Sequence, residues 1–220
     1  MSDVFSAWDN DHLHGLPCRV LLPQHYDPRR RHPLVVFLHG SGERGDDNVA
    51  QLRNGLRAFE QPMLRGFSPI VVAPQIPKGL TFGGSWYGGA APLQQTVIDV
   101  VKDLAGRGSV DEDRVYGVGF SMGAIGLWDI LARHRGVFAA GVVLAGDAAV
   151  ALRGFPLWAV HGANDTLVLA DNTRAVEQIL PAPFRFTELR GLGHDICAAA
   201  FAEPSLWSWL FEQRRAPTTS

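Results

Sequence analysis

The sequence predicts an α/β protein with a mostly parallel central sheet of about seven to eight strands and helices on both faces. Two observations support this fold class. Short apolar runs without polar alternation recur along the chain, as expected of strands buried on both faces of a parallel sheet. Segments with apolar residues at helical spacing separate these runs, and this alternation is typical of a sheet covered by helices on both sides.

Seven segments have the length and apolar character of strands. They are residues 18–22, 34–38, 70–73, 115–118, 139–145, 157–160 and 184–189. Glycine and proline fall mainly between these runs, so they mark the connecting loops. Four segments have a helical period instead, and they are residues 93–106, 122–135, 171–180 and 204–215.

Length and composition predict a single domain over residues 1–220. Hydrophobic residues make up 46% of the chain and charged residues 19%, which argues against a disordered chain. A chain of this length buries enough surface to form a core without metals or disulfides. We expect residues 1–16 to form a polar N-terminal segment and residues 216–220 to form a flexible tail.

Charge and cysteine content argue against several classes of function. Twenty Lys and Arg against 22 Asp and Glu leave a formal charge of −2, so no basic excess favours nucleic acid. No apolar run is long enough to span a membrane, and the N-terminus lacks a signal-peptide pattern. Cys18 and Cys197 are expected to be reduced thiols of a cytoplasmic protein, although a single bridge between them stays open.

Cofactor-binding patterns are also missing from the sequence. Gly117 and Gly119 suggest the G-x-G-x-x-G pattern of dinucleotide-binding domains, but Met122 occupies the third glycine position. The eight histidines lack H-x-x-x-H and H-E-x-x-H spacing. We therefore expect neither a metal nor another cofactor. His39 and His161, which lie beside glycines at strand ends, are expected to stabilise turns.

The predicted strand at 115–118 is followed by a serine between two glycines. The pentapeptide at 119–123, Gly-Phe-Ser-Met-Gly, precedes a helical segment and has the form of a nucleophile elbow. Such a turn needs small residues on both sides of Ser121, because side chains there would collide with the adjacent strand and helix. The helix N-terminus favours negative charge that develops near the serine. The alternative is that Ser121 only caps the helix.

The loop after the predicted strand at 34–38 has the sequence His-Gly-Ser-Gly at residues 39–42. Loops of this kind supply a backbone N–H that binds the oxyanion of a reacting carbonyl, together with the N–H of the residue after the nucleophile. The predicted donors are Met122 and Ser41, with Gly42 as the alternative to Ser41. The glycines could also serve only to make a tight turn.

An acid and a base follow two later strands. Asp165 lies five residues after the strand at 157–160, where it is placed to orient an imidazole, to cap the next helix, or both. Asp147, after the run at 139–145, is the competing acid, but the residues around Asp165 match the commoner pattern. His194 lies in a glycine-rich loop after the last strand. The chain order of Ser121, Asp165 and His194 is the order of a hydrolase triad.

With these residues, the chain resembles α/β-hydrolases of the carboxylesterase and dienelactone-hydrolase branch, in particular the small esterases described as predicted peptidases or phospholipase/carboxylesterase-like proteins. The matching segments are residues 19–23, 33–48 (PLVVFLHGSGERGDDN), 115–123, 161–168 and 193–195, and the similarity extends from residue 19 to about residue 214. The resemblance implies that Ser121 is the nucleophile, Asp165 the acid and His194 the base of a serine esterase that needs no cofactor.

Two groups of residues near these motifs are candidates for substrate contacts. Trp86 and Tyr87 lie in the glycine-rich segment 79–92 and are predicted to form a wall of the pocket, although aromatic residues there could equally fill a surface gap. Glu43 and Arg44 are expected to be a solvated surface pair. The alternatives are that they pair near the oxyanion loop or bind a polar group of the substrate.

The predicted function is hydrolysis of small, soluble esters with short acyl groups. No insertion between residues 145 and 156 is long enough for the helical lid of lipases that act on lipid droplets. Two alternatives stay open: a non-catalytic binding protein with the same fold, and a hydrolase of another ester, a lactone or a peptide-like substrate. The expected partner is a small molecule, with neither nucleic acid nor membrane, and the sequence leaves the oligomeric state open.

Overall fold

An eight-stranded sheet forms the centre of the molecule, in the order β1-β2-β4-β3-β5-β6-β7-β8. The computed structural model describes residues 8–54, 59, 66–148 and 152–216. The strands are β1 (Trp8–Leu13), β2 (Leu16–Leu21), β3 (His32–Leu38), β4 (Ile70–Pro74), β5 (Val110–Phe120), β6 (Ala140–Leu144), β7 (Leu157–Gly162) and β8 (Phe184–Leu189). The pairs β1–β2 and β2–β4 are antiparallel and all other neighbours are parallel, so the predicted mostly parallel sheet is confirmed.

Five α-helices lie within the described residues. They are α1 (Pro92–Gly106), α2 (Met122–Arg133), α3 (Ala170–Ile179), α4 (Cys197–Phe201) and α5 (Pro204–Glu212). The four predicted helices are present, with ends that shift by one to three residues. The sequence did not predict α4, because five residues are too few to show a period. No helix in these ranges is both long and apolar enough to cross a membrane.

Two hydrophobic cores lie on opposite faces of the sheet, because successive side chains of a strand point to opposite sides. On one face, Val35 and Phe37 of β3 pack in a cluster with α4 and α5. On the other face, Leu34 and Val36 belong to the cluster that contains α1 and α2. The continuous apolar runs of the sequence are therefore explained by burial on both faces.

The two edges of the sheet differ from the prediction. β1 lies inside the polar segment 1–16, where no strand was expected, because its sequence WDNDHL has no apolar alternation. An edge strand needs little burial, and charged side chains such as that of Asp9 hinder pairing with another sheet. β8 lies where predicted, but its side chains are half-buried or exposed, so the expected burial on both faces is wrong there.

The two cysteines are free and buried. Cys18 belongs to the core that contains α1 and α2, whereas Cys197 belongs to the core that contains α4 and α5. The sheet lies between the two thiols, which excludes the bridge that the sequence left open. Of the tail predicted at 216–220, residues 217–220 lie outside the described ranges, as do residues 149–151 of the segment considered for a lid.

The carboxyl ends of the parallel strands gather the predicted site residues at one edge of the sheet. The loop of residues 39–45, named here the glycine loop, follows β3, and Ser121 follows β5. Asp165 comes after β7, and His194 comes after β8. Ligands of open α/β sheets bind at this edge.

Candidate active site

Ser121 stands at the junction of β5 and α2 in a backbone conformation that few non-glycine residues adopt. Its φ is 53° and its ψ is −118°. Two hydrogen bonds hold it: its N–H donates to the Leu144 carbonyl at 2.9 Å, and its carbonyl accepts from the Ile125 N–H at 2.9 Å. The Ser121 side chain makes no capping hydrogen bond to the helix. The Ser121 hydroxyl therefore does not cap the helix, which was the alternative to the nucleophile role.

The glycines on either side of Ser121 are required by close backbone contacts. A Cβ atom at Gly119 would lie 2.6 Å from the Gly123 carbonyl oxygen, and a Cβ at Gly123 would lie 2.0 Å from that of Leu38. Neither position has room for a side chain. The contact at Gly123 brings the first turn of α2 against the end of β3, so Met122 comes close to the glycine loop.

His194 joins Ser121 to Asp165 by two hydrogen bonds. Its Nε2 lies 2.8 Å from the Ser121 Oγ, and its Nδ1 lies 2.7 Å from the Asp165 Oδ2. An ionised carboxylate only accepts hydrogen bonds, so Nδ1 carries the proton and Nε2 is free to accept the serine hydroxyl. The His194 side chain is 19% exposed and packs against the Phe120 ring, which leaves it open to the cleft.

The side chain of Asp165 is fully buried and fully engaged in hydrogen bonds. Its Oδ1 accepts from the N–H groups of Leu167 and Val168 at 2.9 and 3.0 Å, while its Oδ2 accepts from His194. Burial raises the pKa of this carboxyl, but the hydrogen bonds from His194, Val168 and Leu167 outweigh burial and bring the pKa below its usual value. The Asp165 carboxylate therefore has two roles: it orients the His194 imidazole, and it orders the turn before α3.

The sequence did not indicate that His161 supports Asp165. The His161 Nε2 lies 3.2 Å from the Asp165 Oδ2 and 2.8 Å from the Val168 carbonyl, so it carries the proton that both oxygens accept. Its Nδ1 then accepts from the Thr173 hydroxyl at 3.0 Å. The available signal was the spacing of four residues between a strand-end histidine and the acid.

Backbone contacts tie the loops of Asp165 and His194 to each other. A Cβ at Gly162 would lie 2.0 Å from the Gly193 carbonyl oxygen, so only glycine fits at the end of β7. Next to it, the Ala163 N–H donates to the Leu189 carbonyl at 3.0 Å and the Asn164 N–H to the Leu192 carbonyl at 2.9 Å. These bonds fix the distance between the acid and the imidazole.

The glycine loop is anchored by a buried neutral histidine. The His39 Nδ1 donates to the Gly40 carbonyl at 2.7 Å, and its Nε2 accepts from the Ile76 N–H at 2.9 Å. Burial lowers the pKa of His39 to about 4, so the ring is uncharged at neutral pH. The expected turn-stabilising role of His39 thus has a concrete form: it links the loop to the segment after β4.

Glu43 and Arg44 do not form the expected surface pair. Glu43 is 3% exposed and turns inwards, where its Oε2 accepts from the Gly40 N–H at 2.6 Å. Arg44 turns outwards, and its Nε donates to the Ser41 carbonyl at 2.9 Å. The expectation is therefore wrong, because the tight turn at Ser41–Glu43 points neighbouring side chains in different directions.

Of the three predicted oxyanion donors, two line the cleft of Ser121 and one follows it in the chain. Ser41 and Gly42 line the same cleft as Ser121 and His194. Met122 follows the serine directly, as the first residue of α2. Within the described ranges, the N–H groups of Ser41, Gly42 and Met122 make no hydrogen bond. Free N–H groups beside a serine hydroxyl are the arrangement that binds developing negative charge.

The cleft above Ser121 has a volume of about 550 Å³ and an aromatic wall. Trp86 and Tyr87 line it and remain 49% and 37% exposed, so the structure places both predicted residues at the cleft. Leu167 also lines it and is 66% exposed. The remaining lining residues are Gly40, Ser41, Gly42, Asn54, Phe120, Ser121, Ile125, Val168, His194 and Asp195.

Trp86 and Tyr87 belong to a short closed loop, residues 83–89, named here the aromatic loop. Gly84 and Gly89 exchange two backbone hydrogen bonds of 2.8 and 3.0 Å, which close it. A Cβ at Gly84 would lie 2.4 Å from the Ile125 carbonyl oxygen, so the loop rests directly on α2. The aromatic side chains are therefore presented from a backbone that is fixed at its base.

The competing acid, Asp147, contacts the aromatic loop. Its Oδ2 accepts from the Trp86 indole N–H at 2.8 Å and from the Ser85 hydroxyl at 3.4 Å. Of the two candidate acids, only Asp165 is hydrogen-bonded to His194. The structure therefore assigns the two aspartates to different sides of the cleft.

Neither a family model nor a curated protein matches this sequence. Solved structures do match it over nearly the whole chain. A thermostable esterase superposes with a TM-score of 0.87 at 27% identity, covering 96% of this chain, and the match spans 64% of the esterase chain. A feruloyl esterase module from Clostridium thermocellum in complex with sinapinate gives a TM-score of 0.71 at 16% identity, covering 97% of this chain and 90% of the module.

Thermogutta terrifontis esterase 2, phosphorylated by paraoxon, gives a TM-score of 0.66 at 13% identity, with 94% of this chain and 91% of that chain covered. At these identities, the feruloyl esterase module and esterase 2 show the shared fold alone. The strand order and the loops at the carboxyl edge agree with this likeness. This chain therefore has the α/β-hydrolase fold, and the solved structures that it resembles include a thermostable esterase at 27% identity.

Proposed function

We propose that this protein is a serine hydrolase that cleaves small carboxylic esters with short acyl groups through an acyl-enzyme. The observation that carries the proposal is the hydrogen-bonded series from Asp165 through His194 to Ser121, with distances of 2.7 and 2.8 Å. Ser121 is the nucleophile, His194 the general base and Asp165 the group that orients the imidazole. No cofactor takes part in this chemistry.

In the first half of the reaction, the Ser121 Oγ attacks the carbonyl carbon of the ester while its proton moves to the His194 Nε2. The resulting imidazolium is stabilised by Asp165, whose lowered pKa keeps it ionised as the charge develops. Collapse of the tetrahedral intermediate breaks the bond to the alcohol oxygen. His194 gives its proton to that oxygen, so the alcohol leaves and the acyl group stays on Ser121.

The second half of the reaction uses the same base. His194 takes a proton from water as the water oxygen attacks the acyl-enzyme carbonyl, and it returns that proton to the Ser121 Oγ when the acid is released. In both halves, the carbonyl oxygen becomes negative. We assign its stabilisation to the N–H groups of Met122 and Ser41, with Gly42 as the alternative second donor.

The proposed substrate class rests on the size and lining of the cleft. A cleft of about 550 Å³ suits a small molecule, and its lining mixes aromatic rings with polar groups such as Asn54 and Asp195. Trp86 and Tyr87 are placed to contact an apolar part of the ester. We therefore expect acyl groups of about two to six carbons to be preferred, and no rise in rate when substrate passes from solution into droplets.

A panel of p-nitrophenyl esters with graded acyl chains tests this proposal, with Ser121→Ala measured in parallel as the blank. We expect release of p-nitrophenol from the short-chain esters by the wild type and none above background by the variant. A preference for chains of twelve or more carbons with activation at an interface would contradict the substrate class. A wild type that hydrolyses nothing, with lactones and peptide esters included, would favour the binding-protein alternative. The cytoplasmic location stays a prediction.

A further inference from the structure

The strongest feature that the proposed chemistry leaves unused is a buried carboxyl beneath the glycine loop. Glu43 is 3% exposed and belongs to the 3-10 helix Ser41–Glu43, which carries the proposed donor Ser41. It touches neither Ser121 nor His194 through a hydrogen bond. Carboxyl groups are seldom buried without a specific partner, so its position calls for an explanation.

Glu43 closes the glycine loop from below. Its Oε2 accepts from the Gly40 N–H at 2.6 Å, and its own N–H donates to the Gly40 carbonyl at 3.2 Å. The two bonds bracket Ser41 and Gly42. The Gly40 N–H is taken by Glu43, whereas the N–H groups of Ser41 and Gly42 make no hydrogen bond within the described residues.

The rest of the loop is fixed on the same framework. The Gly40 carbonyl also accepts from the His39 Nδ1 at 2.7 Å, and the Glu43 carbonyl accepts from the Gln75 side chain at 3.1 Å. The Gly45 N–H donates to the Ile76 carbonyl at 2.9 Å. Removing the Glu43 carboxyl therefore releases the Gly40 N–H, while the loop stays attached through His39, Gln75 and Gly45.

The second oxygen of this carboxyl has no partner. The Glu43 Oε1 is buried and makes no hydrogen bond within the described residues. Burial raises the pKa of Glu43 to about 7, against the lowering effect of the Gly40 and Asn54 backbone N–H groups and of the nearby Arg53 charge. A neutral carboxyl still accepts through Oε2, so the bond to Gly40 does not depend on charge.

We propose that Glu43 is a positioning residue that sets the oxyanion donors by holding the Gly40 N–H, and that its reach rather than its charge matters. This inference rests on the function proposed above. The Gly40 N–H is turned towards Glu43, whereas Ser41 and Gly42, whose N–H groups make no hydrogen bond within the described residues, line the cleft beside Ser121. Loss of the carboxyl weakens binding of the transition state more than binding of the ester, because the donors act on charge that develops during the reaction.

Three substitutions at Glu43 separate reach from charge. Glu43→Gln keeps an acceptor oxygen at the same reach, Glu43→Asp keeps the charge but shortens the side chain by one methylene, and Glu43→Ala removes both. Glu177→Ala, at an exposed position of α3 that does not line the cleft, is the matched control. Circular dichroism and thermal unfolding establish that each variant is folded before kinetics are compared.

We expect Glu43→Gln and Glu177→Ala to stay within about threefold of the wild-type kcat. Glu43→Asp and Glu43→Ala should lower kcat by roughly 10- to 100-fold, less than the 10²- to 10³-fold loss for a removed oxyanion donor, with little change in KM. The affinity for a boronic acid that mimics the tetrahedral intermediate should fall by the same factor as kcat. Amide hydrogen exchange at residues 40–42 should speed up in these two variants alone.

A folded Glu43→Ala variant with wild-type kcat and boronate affinity would overturn the inference. Equal losses in Glu43→Gln and Glu43→Ala would also overturn it, since they would make charge the decisive property. Both results leave the proposed function intact as long as wild-type activity is lost in Ser121→Ala. A wild type without any Ser121-dependent hydrolysis would instead overturn the proposed function, and this inference with it.

Discussion

The two sides of the cleft are built differently. One side, named here the triad side, consists of Ser121, Asp165, His194 and the glycine loop, and its groups are buried or held by several hydrogen bonds. The other side is the aromatic loop, where Trp86 and Tyr87 are 49% and 37% exposed. A single side-chain hydrogen bond, from Trp86 to Asp147, holds the indole.

We expect the residues of the triad side to carry out the reaction and those of the aromatic loop to select the substrate. Groups that react must be held at fixed distances, and the triad side achieves this with backbone contacts such as those of Gly123 and Gly162, which no side chain could replace. Groups that contact the variable part of a substrate need only present a surface. Changes on the triad side should therefore act mainly on kcat, and changes on the aromatic loop mainly on KM.

The largest expected effect is loss of the nucleophile. Ser121→Ala should lower kcat by several orders of magnitude, on the order of 10⁶ by analogy with subtilisin, because the serine and histidine act as one unit. For the same reason, the double variant with His194→Ala should cost little more than Ser121→Ala alone. Single-turnover and steady-state kinetics on a short p-nitrophenyl ester measure both. A Ser121→Ala enzyme with a tenth of wild-type activity would remove Ser121 from this role.

The next effect compares the two aspartates, one on each side of the cleft. Asp165→Asn should lower kcat by roughly 10⁴, on the precedent of trypsin, because the amide holds the imidazole in the wrong tautomer. Asp147→Asn should cost far less, since an asparagine oxygen can still accept from the Trp86 indole. Parallel kcat measurements on the two variants test which aspartate is the acid. A larger loss of kcat in Asp147→Asn than in Asp165→Asn would assign that role to Asp147.

A smaller effect is expected on the aromatic loop. Trp86→Ala should raise KM by about 3- to 10-fold and leave kcat within about twofold, because a half-exposed ring contributes on the order of 1 kcal/mol of contact with a bound ester. Trp86→Phe, which keeps a ring but loses the indole N–H, is the matched control. Its KM should lie between those of the wild type and Trp86→Ala. A fall in kcat without a change in KM would contradict the division of the cleft into two roles.

The smallest effect on catalysis is expected for Glu43→Gln, which acts instead on the stability of the fold and its dependence on pH. The pKa of Glu43 is raised from 4.5 to about 7, chiefly by burial, so the folded state holds its proton more tightly than the unfolded state does. The stability from this group is present below about pH 4.5 and is lost as pH rises towards 7, a change on the order of 3 kcal/mol. Glu43→Gln should gain stability over the wild type between pH 5 and pH 8, as measured by urea unfolding at both values. If the difference in unfolding free energy between Glu43→Gln and the wild type is the same at pH 5 and pH 8, this account is contradicted.

The same contrast explains what the sequence could predict. The triad side follows from short motifs at strand ends, because an elbow, an acid and a histidine each need particular residues at fixed positions. Buried strands and periodic helices were predictable for the same reason. The polar edge strand β1 and the short helix α4 were not, since neither carries an apolar period.

Other features depend on contacts between segments that are distant in the chain. The inward turn of Glu43 and the bond between Trp86 and Asp147 have no local sequence pattern. The support of Asp165 by His161 likewise appears only when β7 and the turn before α3 are folded together. Sequence reasoning therefore found the residues that we propose to react, and the structure was needed to find the residues that hold them in place.

The central claim is that Ser121 is a nucleophile activated by His194, and covalent labelling tests it most directly. A fluorophosphonate should add to the wild type once per chain, with the mass increase mapped by peptide sequencing to Ser121. Ser121→Ala should take up no label, and His194→Ala should be labelled slower by several orders of magnitude. Labelling of a different residue, or equal labelling rates with and without His194, would contradict the account.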